Sequence, residues 1–158
     1  MKSITLDSEP RSVGRARHFV AAAFVGRHID PSVAELLTSE LATNAVLYAK
    51  SEFTVRVGFE PCARVEVHDG LGATNAFREI ITNPPELSIG SPGGRGLRLV
   101  GRLSSRFGLA DDVGISNGKM VWFELDAQAQ VSPARRDHRS AGSLTAVEPS
   151  VRPFRAAH

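Results

Sequence analysis

The stretch PSVAELLTSELATNAVLYAK (residues 31–50) places two polar side chains where a helix that faces a core needs apolar ones. At about 100° per residue, a helix over residues 32–48 carries one apolar stripe, made by Val33, Leu36, Leu37, Leu41, Leu47 and Tyr48. Glu40 and Asn44 fall near the middle of this stripe, one turn apart. A carboxylate that faces a core is costly unless something pairs with it. We therefore expect a functional partner opposite these two residues.

The chemistry of the pair suggests a cation and a proton acceptor. Mg²⁺ prefers few protein ligands together with phosphate oxygens and waters, so a single Asn44 amide oxygen suits it. Glu40 would then orient or deprotonate a nucleophile. The alternative is that both residues lie at the edge of the helix and reach solvent, as charged side chains usually do.

Composition predicts one globular domain. The chain has 158 residues, of which 42% are hydrophobic and 23% charged, which is ordinary for a single domain. No run of about 18 apolar residues occurs, so no membrane span is expected. Residues 1–10 lack the apolar stretch of a signal peptide, and the single Cys62 excludes an internal disulfide. These features together predict a cytoplasmic protein.

The basic pI of about 9.1 comes from the end of the chain. Residues 127–158 hold five arginines against Asp137 and Glu148, a net charge of +3. The whole chain carries +2, so residues 1–126 carry −1. A basic groove that neutralises several phosphates is therefore not indicated, and we expect no direct nucleic-acid binding. A DNA-binding alternative depends on the arginine-containing tail alone.

Hydrophobic periodicity predicts both helices and strands. The predicted helices cover residues 12–27, 32–48 and 94–104. The predicted strands cover residues 3–7, 53–59, 64–69, 107–110 and 119–125. Strands 53–59 and 64–69 are expected to form a hairpin. The order of elements predicts an α+β fold, a two-layer sandwich with about three helices on one face of a mixed, mostly antiparallel sheet.

Two segments depart from this regular alternation. Residues 70–92 hold three prolines and three glycines without a sustained period, and long structureless connections of this kind are usually functional. We predict a lid over about residues 73–93. Residues 127–158 are rich in Ala, Arg, Ser and Pro and are predicted to be a disordered tail, which leaves residues 1–126 as the domain.

Two further motifs accompany Glu40 and Asn44. Asp69 leaves a predicted strand into DGLGA (residues 69–73), where a carboxylate is placed to accept a donor such as an exocyclic amine; the alternative is an ordinary turn-forming aspartate. PGGRGL (residues 92–97) opens a predicted helix, where backbone N–H groups favour an anion and Arg95 adds a phosphate contact. A hinge without a ligand is the alternative there. The motif is neither a P-loop nor a dinucleotide fingerprint.

Taken together, these segments resemble the GHKL superfamily of ATP-binding domains, and within it the stand-alone branch of anti-sigma-factor serine kinases. Residues 38–49 (TSELATNAVLYA) resemble the N box of that branch, and residues 65–72 its first glycine box. Residues 93–101 (GGRGLRLVG) resemble its second glycine box, and residues 118–125 (GKMVWFEL) its last strand. The resemblance covers about residues 10–125. It implies the histidine-kinase-like ATPase fold.

The resemblance also implies roles for single residues. Asn44 would ligate Mg²⁺, Glu40 would be the catalytic base, and Asp69 would accept the adenine amino group. The remaining nucleotide contacts would come from Gly72, Gly94, Arg95, Gly96 and Leu97. The implied cofactors are ATP and Mg²⁺.

The implied function is an anti-sigma-factor-type serine kinase that regulates transcription. It would phosphorylate an antagonist protein, bind a sigma factor, or do both, and the relatives of this branch dimerise. The alternative is a catalytically weak or inactive binding module of the same fold. The first glycine box favours this alternative, because the family usually has Asp-x-Gly-x-Gly whereas DGLGA (residues 69–73) shifts the glycines by one position.

Overall fold

A computed structural model describes residues 1–82, 95–112 and 118–126. The elements in chain order are β1 (Lys2–Leu6), α1 (Pro10–Phe24), α2 (Pro31–Asn44), a π-helical turn (Ala45–Ala49), β2 (Phe53–Gly58), β3 (Ala63–Asp69), α3 (Asn75–Thr82), α4 (Arg95–Leu103), β4 (Arg106–Asp112) and β5 (Gly118–Leu125). The predicted α+β class is confirmed. Among the described residues, none of the helices is long and apolar enough to cross a bilayer.

The sheet has five strands in the order β1-β2-β3-β5-β4. Each of the four neighbouring pairs is antiparallel, so the sheet is not mixed in the part of the chain that the structure describes. The β2–β3 hairpin is confirmed. Alternate side chains point to opposite faces, and the face on which the helices pack carries buried apolar residues of β2, β3 and β5, such as Phe53, Val65 and Phe123. Met120 and Trp122 of β5 point to the other face.

The helices begin where the sequence supplies a cap or a proline. Pro10 and Pro31 lie in the first turns of α1 and α2, where a missing N–H costs nothing. The Asp30 side chain caps α2 by accepting the N–H of Ser32 at 2.8 Å. This hydrogen bond lowers the pKa of Asp30 below its ordinary range. The two helices then pack on each other and on the sheet.

The apolar stripe predicted for residues 32–48 is only partly buried. Leu37 and Leu41 are fully in the core, but Leu36, Leu47 and Tyr48 are exposed. Small residues of α2 take the contact positions instead, since close packing against α1 favours them: Ala34, Thr38 and Ala42. The helix also changes type after Asn44. The N–H of Lys50 bonds to the carbonyl of Ala45, which is the wider π spacing and shifts later side chains away from an α-helical period.

The connection after β3 is not structureless, which corrects the prediction for its first part. Helix α3 occupies Asn75–Thr82 and begins where the Oγ1 of Thr74 accepts the N–H of Phe77 at 3.2 Å. Half-buried Phe77 and Ile81 pack toward the core. The rest of the predicted lid, Gly94 and the predicted tail at 127–158 lie outside the described residues.

Candidate functional site between the helices and one end of the sheet

Glu40 lies against the start of α4. A Cβ atom built on Gly96 would overlap the Glu40 carboxylate and come within 3.3 Å of its Cδ atom. Only glycine lets α4 approach this side chain so closely. The half-buried carboxylate thus sits at a helix N-terminus, where backbone N–H groups and the helix dipole favour negative charge. The structure therefore brings together two of the predicted site residues from segments more than fifty positions apart.

Asn44 is the last residue of α2 and is half-buried. It lies one helical turn from Glu40, directly before the π-helical turn, which packs against β3. Breaks of this type in an α-helix occur frequently at functional sites. In the part of the chain that the structure describes, no group of three or more His, Cys, Asp or Glu residues is placed to hold a metal ion. If Asn44 contributes its amide oxygen to Mg²⁺, phosphate oxygens and waters must be the other ligands, as the sequence predicts.

Asp69 ends β3 on the helix-covered face and is buried. Its Oδ1 atom accepts the N–H of Leu71 at 2.9 Å, which closes a turn after the strand. The same atom also accepts a hydrogen bond from Nζ of Lys119, on the adjacent β5, at 2.7 Å. Lys119 donates further to the carbonyl of Leu71 at 3.0 Å. The predicted amine acceptor is thus one half of a buried ion pair.

The ion pair lies in a row of polar side chains across the sheet. Register aligns Asp69 with Lys119, and Lys119 with Asp111 of β4. Helix α3 covers this row, since the Phe77 ring lies 5.4 Å from Nζ of Lys119 and Arg78 forms an ion pair with Asp111. Two residues further along each strand the same face is apolar, at Val67, Val121 and Leu109. The polar row therefore marks one end of the sheet.

A pocket of about 390 Å³ adjoins this row between α3 and β4. Arg78, Ile81, Phe107 and Leu109 line it. Three of these side chains are apolar and one is cationic. A second pocket, of about 420 Å³, lies near the β1 edge of the sheet and is lined by residues such as Arg27 and Phe59. None of the predicted site residues lines either pocket.

The residues of the two glycine motifs, DGLGA and PGGRGL, lie in different surroundings. Gly70 donates its N–H to the Oγ of Ser51 at 3.1 Å, and a Cβ on Gly70 would lie 2.9 Å from that oxygen. Gly72 is half-buried just beyond this contact. In the second motif Arg95 is exposed at the start of α4, whereas Leu97 is buried in the core.

Lys119 is one of two residues at this candidate site that sequence reasoning missed. Its signal was present in the alternation of β5, because Lys119 shares a face with Val121 and Phe123, both buried. A lysine in a core-facing position requires a partner. Phe77 was missed because it belongs to the stretch predicted to be without structure.

The comparisons with known proteins identify no relative: neither a protein-family model nor a curated protein matches the chain. The functional interpretation therefore depends on the arrangement of these residues.

Proposed function

We propose that this protein is an ATP-binding serine kinase of the anti-sigma-factor type. The observation that carries the proposal is the Glu40 carboxylate at the glycine-containing first turn of α4. A carboxylate there can take a proton from a nucleophile while the turn faces a phosphate group. The buried carboxylate of Asp69, on the sheet face that the helices cover, supplies an acceptor for the adenine amine.

The chain's own residues perform the proposed reaction by positioning and proton transfer. The Oγ atom of a substrate serine attacks the γ-phosphorus as its proton passes to Glu40. A new O–P bond forms while the bond between the γ-phosphorus and the β–γ bridging oxygen breaks, and ADP leaves. Asn44 would hold Mg²⁺, which would neutralise phosphate charge when bound. Arg95, exposed at the start of α4, contributes a cation beside the phosphates.

The protein substrate of this reaction is a serine of an anti-sigma-factor antagonist, and the second proposed partner is a sigma factor. The proposed setting is the cytoplasm, where ATP and both partners occur. We also propose that the protein forms a homodimer.

The test is a titration with ATP and MgCl₂ followed by the thermal unfolding midpoint. Trp122 is a poor fluorescence reporter, because it stacks under Arg64 on β3, on the sheet face opposite the helices. A ligand that binds only the folded state raises the midpoint by mass action. We expect a rise at millimolar ATP that Asn44→Ala reduces in the presence of Mg²⁺. An unchanged midpoint of the original protein would exclude the kinase.

A matched pair of variants on α2 tests the role of Glu40. The assay measures release of inorganic phosphate from ATP, with water as the acceptor in place of serine. Glu40→Gln is expected to lower the rate of this release about 100-fold or more. ATP binding by the variant should be retained. Glu35→Gln, on the same helix but paired only distantly with Arg17 at 3.9 Å, is expected to match the original protein. Equal phosphate release by both variants would remove Glu40 from the role of base.

The second candidate function is a regulatory binding module without phosphoryl transfer. The buried Asp69–Lys119 ion pair favours it, because the lysine already neutralises this carboxylate without a ligand. This candidate predicts either no midpoint shift with ATP, or a shift without any phosphate release by the original protein.

A further inference from the structure

We infer that Lys119 is a second base-reading residue, which donates a hydrogen bond to N1 of the adenine ring while Asp69 accepts the 6-amino group. This inference rests on the proposed function, since it concerns how the same site selects its nucleotide. It assigns to the Asp69–Lys119 ion pair a role in recognition in addition to its role in packing.

The hydrogen-bonding capacity of the pair leaves one group on each partner for a ligand. Lysine has three N–H donors. Among the described residues, two acceptors use two of them, Oδ1 of Asp69 at 2.7 Å and the carbonyl of Leu71 at 3.0 Å. Both hydrogen bonds that the structure gives to the Asp69 side chain use Oδ1. Within the described part of the chain, one N–H of Lys119 and the Oδ2 atom of Asp69 are therefore left for a ligand.

The edge of adenine matches this arrangement. Its 6-amino group is a donor, and the neighbouring N1 is an acceptor. Guanine carries an N–H group at position 1 and an oxygen at position 6, so in the same orientation it would set donor against donor and acceptor against acceptor. A site whose polar groups are left unpaired discriminates strongly against the wrong ligand.

The surroundings of the pair favour a flat, partly apolar ligand. The Phe77 ring lies 5.4 Å from Nζ of Lys119 and shields the ammonium group from water. The pocket between α3 and β4, which presents Ile81, Phe107 and Leu109, adjoins the Asp111 end of the same row. The side chains of Asp69 and Lys119 are only 5% and 8% exposed, so hydrogen bonds made to them have little competition from solvent.

The direct test uses the unmodified protein and two nucleotides, ATP and 1-deaza-ATP, in which a C–H group replaces N1 and the 6-amino group is retained. Dissociation constants are measured by calorimetry with MgCl₂ present. A hydrogen bond to a charged group is worth about a 10- to 100-fold change in affinity. We expect 1-deaza-ATP to bind weaker than ATP by a factor in this range.

Equal affinities for the two nucleotides would overturn the inference while leaving ATP binding, and with it the proposed function, intact. Failure of both nucleotides to bind would reject the inference and the proposed function together. The variant Lys119→Met provides an independent measurement: where it folds, it should lose the preference for ATP over 1-deaza-ATP. The control Lys2→Met, which removes a lysine from β1 at the other edge of the sheet, should keep the preference.

Discussion

The two faces of the sheet bury charged residues in different ways. On the helix-covered face, Asp69 and Lys119 form one pair beneath α3, and both side chains are almost inaccessible. On the opposite face, which none of the described helices covers, five charged or titratable residues of β3, β4 and β5 form a chain. In spatial order they are His68, Glu66, Arg64, Glu124 and Arg106.

The chain on the open face has several redundant contacts. Arg64 bridges Glu66 at 2.8 Å and Glu124 at 3.0 Å, while Arg106 donates to the other oxygen of Glu124 at 2.7 Å. Arg106 is 65% exposed at its side chain and Arg64 28%. Glu66 and Glu124 are only 11% and 10% exposed, but each keeps a second partner when Arg64 is lost, His68 for Glu66 and Arg106 for Glu124. The contribution of an ion pair to the free energy of unfolding therefore depends on its position within the layers, and not on the number of ion pairs around it.

The largest expected effect is at the buried pair. Lys119→Met leaves the Asp69 carboxylate buried without its cation, which is expected to lower the free energy of unfolding by about 3–5 kcal/mol. Arg64→Met on the open face is expected to cost about 1 kcal/mol or less. Urea unfolding of both variants at neutral pH measures the contrast.

A double variant separates the loss of an ion pair from a loss of packing. Asp69→Leu combined with Lys119→Met removes both charges, so most of the stability lost in Lys119→Met should return. If Lys119→Met alone were no less stable than Arg64→Met, the two faces would not differ in the manner described.

The same contrast shows what the sequence allowed us to predict. Period-two alternation placed β2, β3 and β5 correctly, because apolar residues on one face determine register. Glu40 and Gly96 could each be selected as site residues, but their contact could not be predicted, since it depends on the packing of α2 against α4. The exposure of Leu47 was missed because a π-helical turn breaks the assumed period.

A medium effect is expected at Gly108 of β4, on the open face. A Cβ atom there would lie 2.6 Å from Cζ2 of the Trp122 ring, which is stacked at 4.0 Å under the Arg64 guanidinium. Gly108→Ala must displace the indole, and we expect a loss of about 1–2 kcal/mol in the free energy of unfolding.

The matched control for that variant is another strand glycine on the same face. Gly58→Ala of β2 meets only the flexible side chain of Met1, which is itself exposed. Its stability should equal or slightly exceed that of the original protein. Equal losses in both glycine variants would show that strand backbone, and not the Trp122 ring, causes the effect.

The smallest expected effect is at Glu124 and depends on pH. Burial raises the pKa of this carboxyl, but the Arg64 hydrogen bond and the Arg106 charge outweigh burial, so its pKa lies below the ordinary value of 4.5. A carboxyl whose pKa is lowered by folding stabilises the protein above its unfolded-state pKa. That contribution is lost as the pH falls through the folded-state pKa.

Glu124→Gln should therefore be less stable than the original protein at pH 7, by about 1 kcal/mol. The difference should shrink progressively below pH 4.5. Thermal unfolding of both proteins between neutral and acid pH measures it, and a difference that does not change with pH would mean that Glu124 contributes through packing and not through its charge.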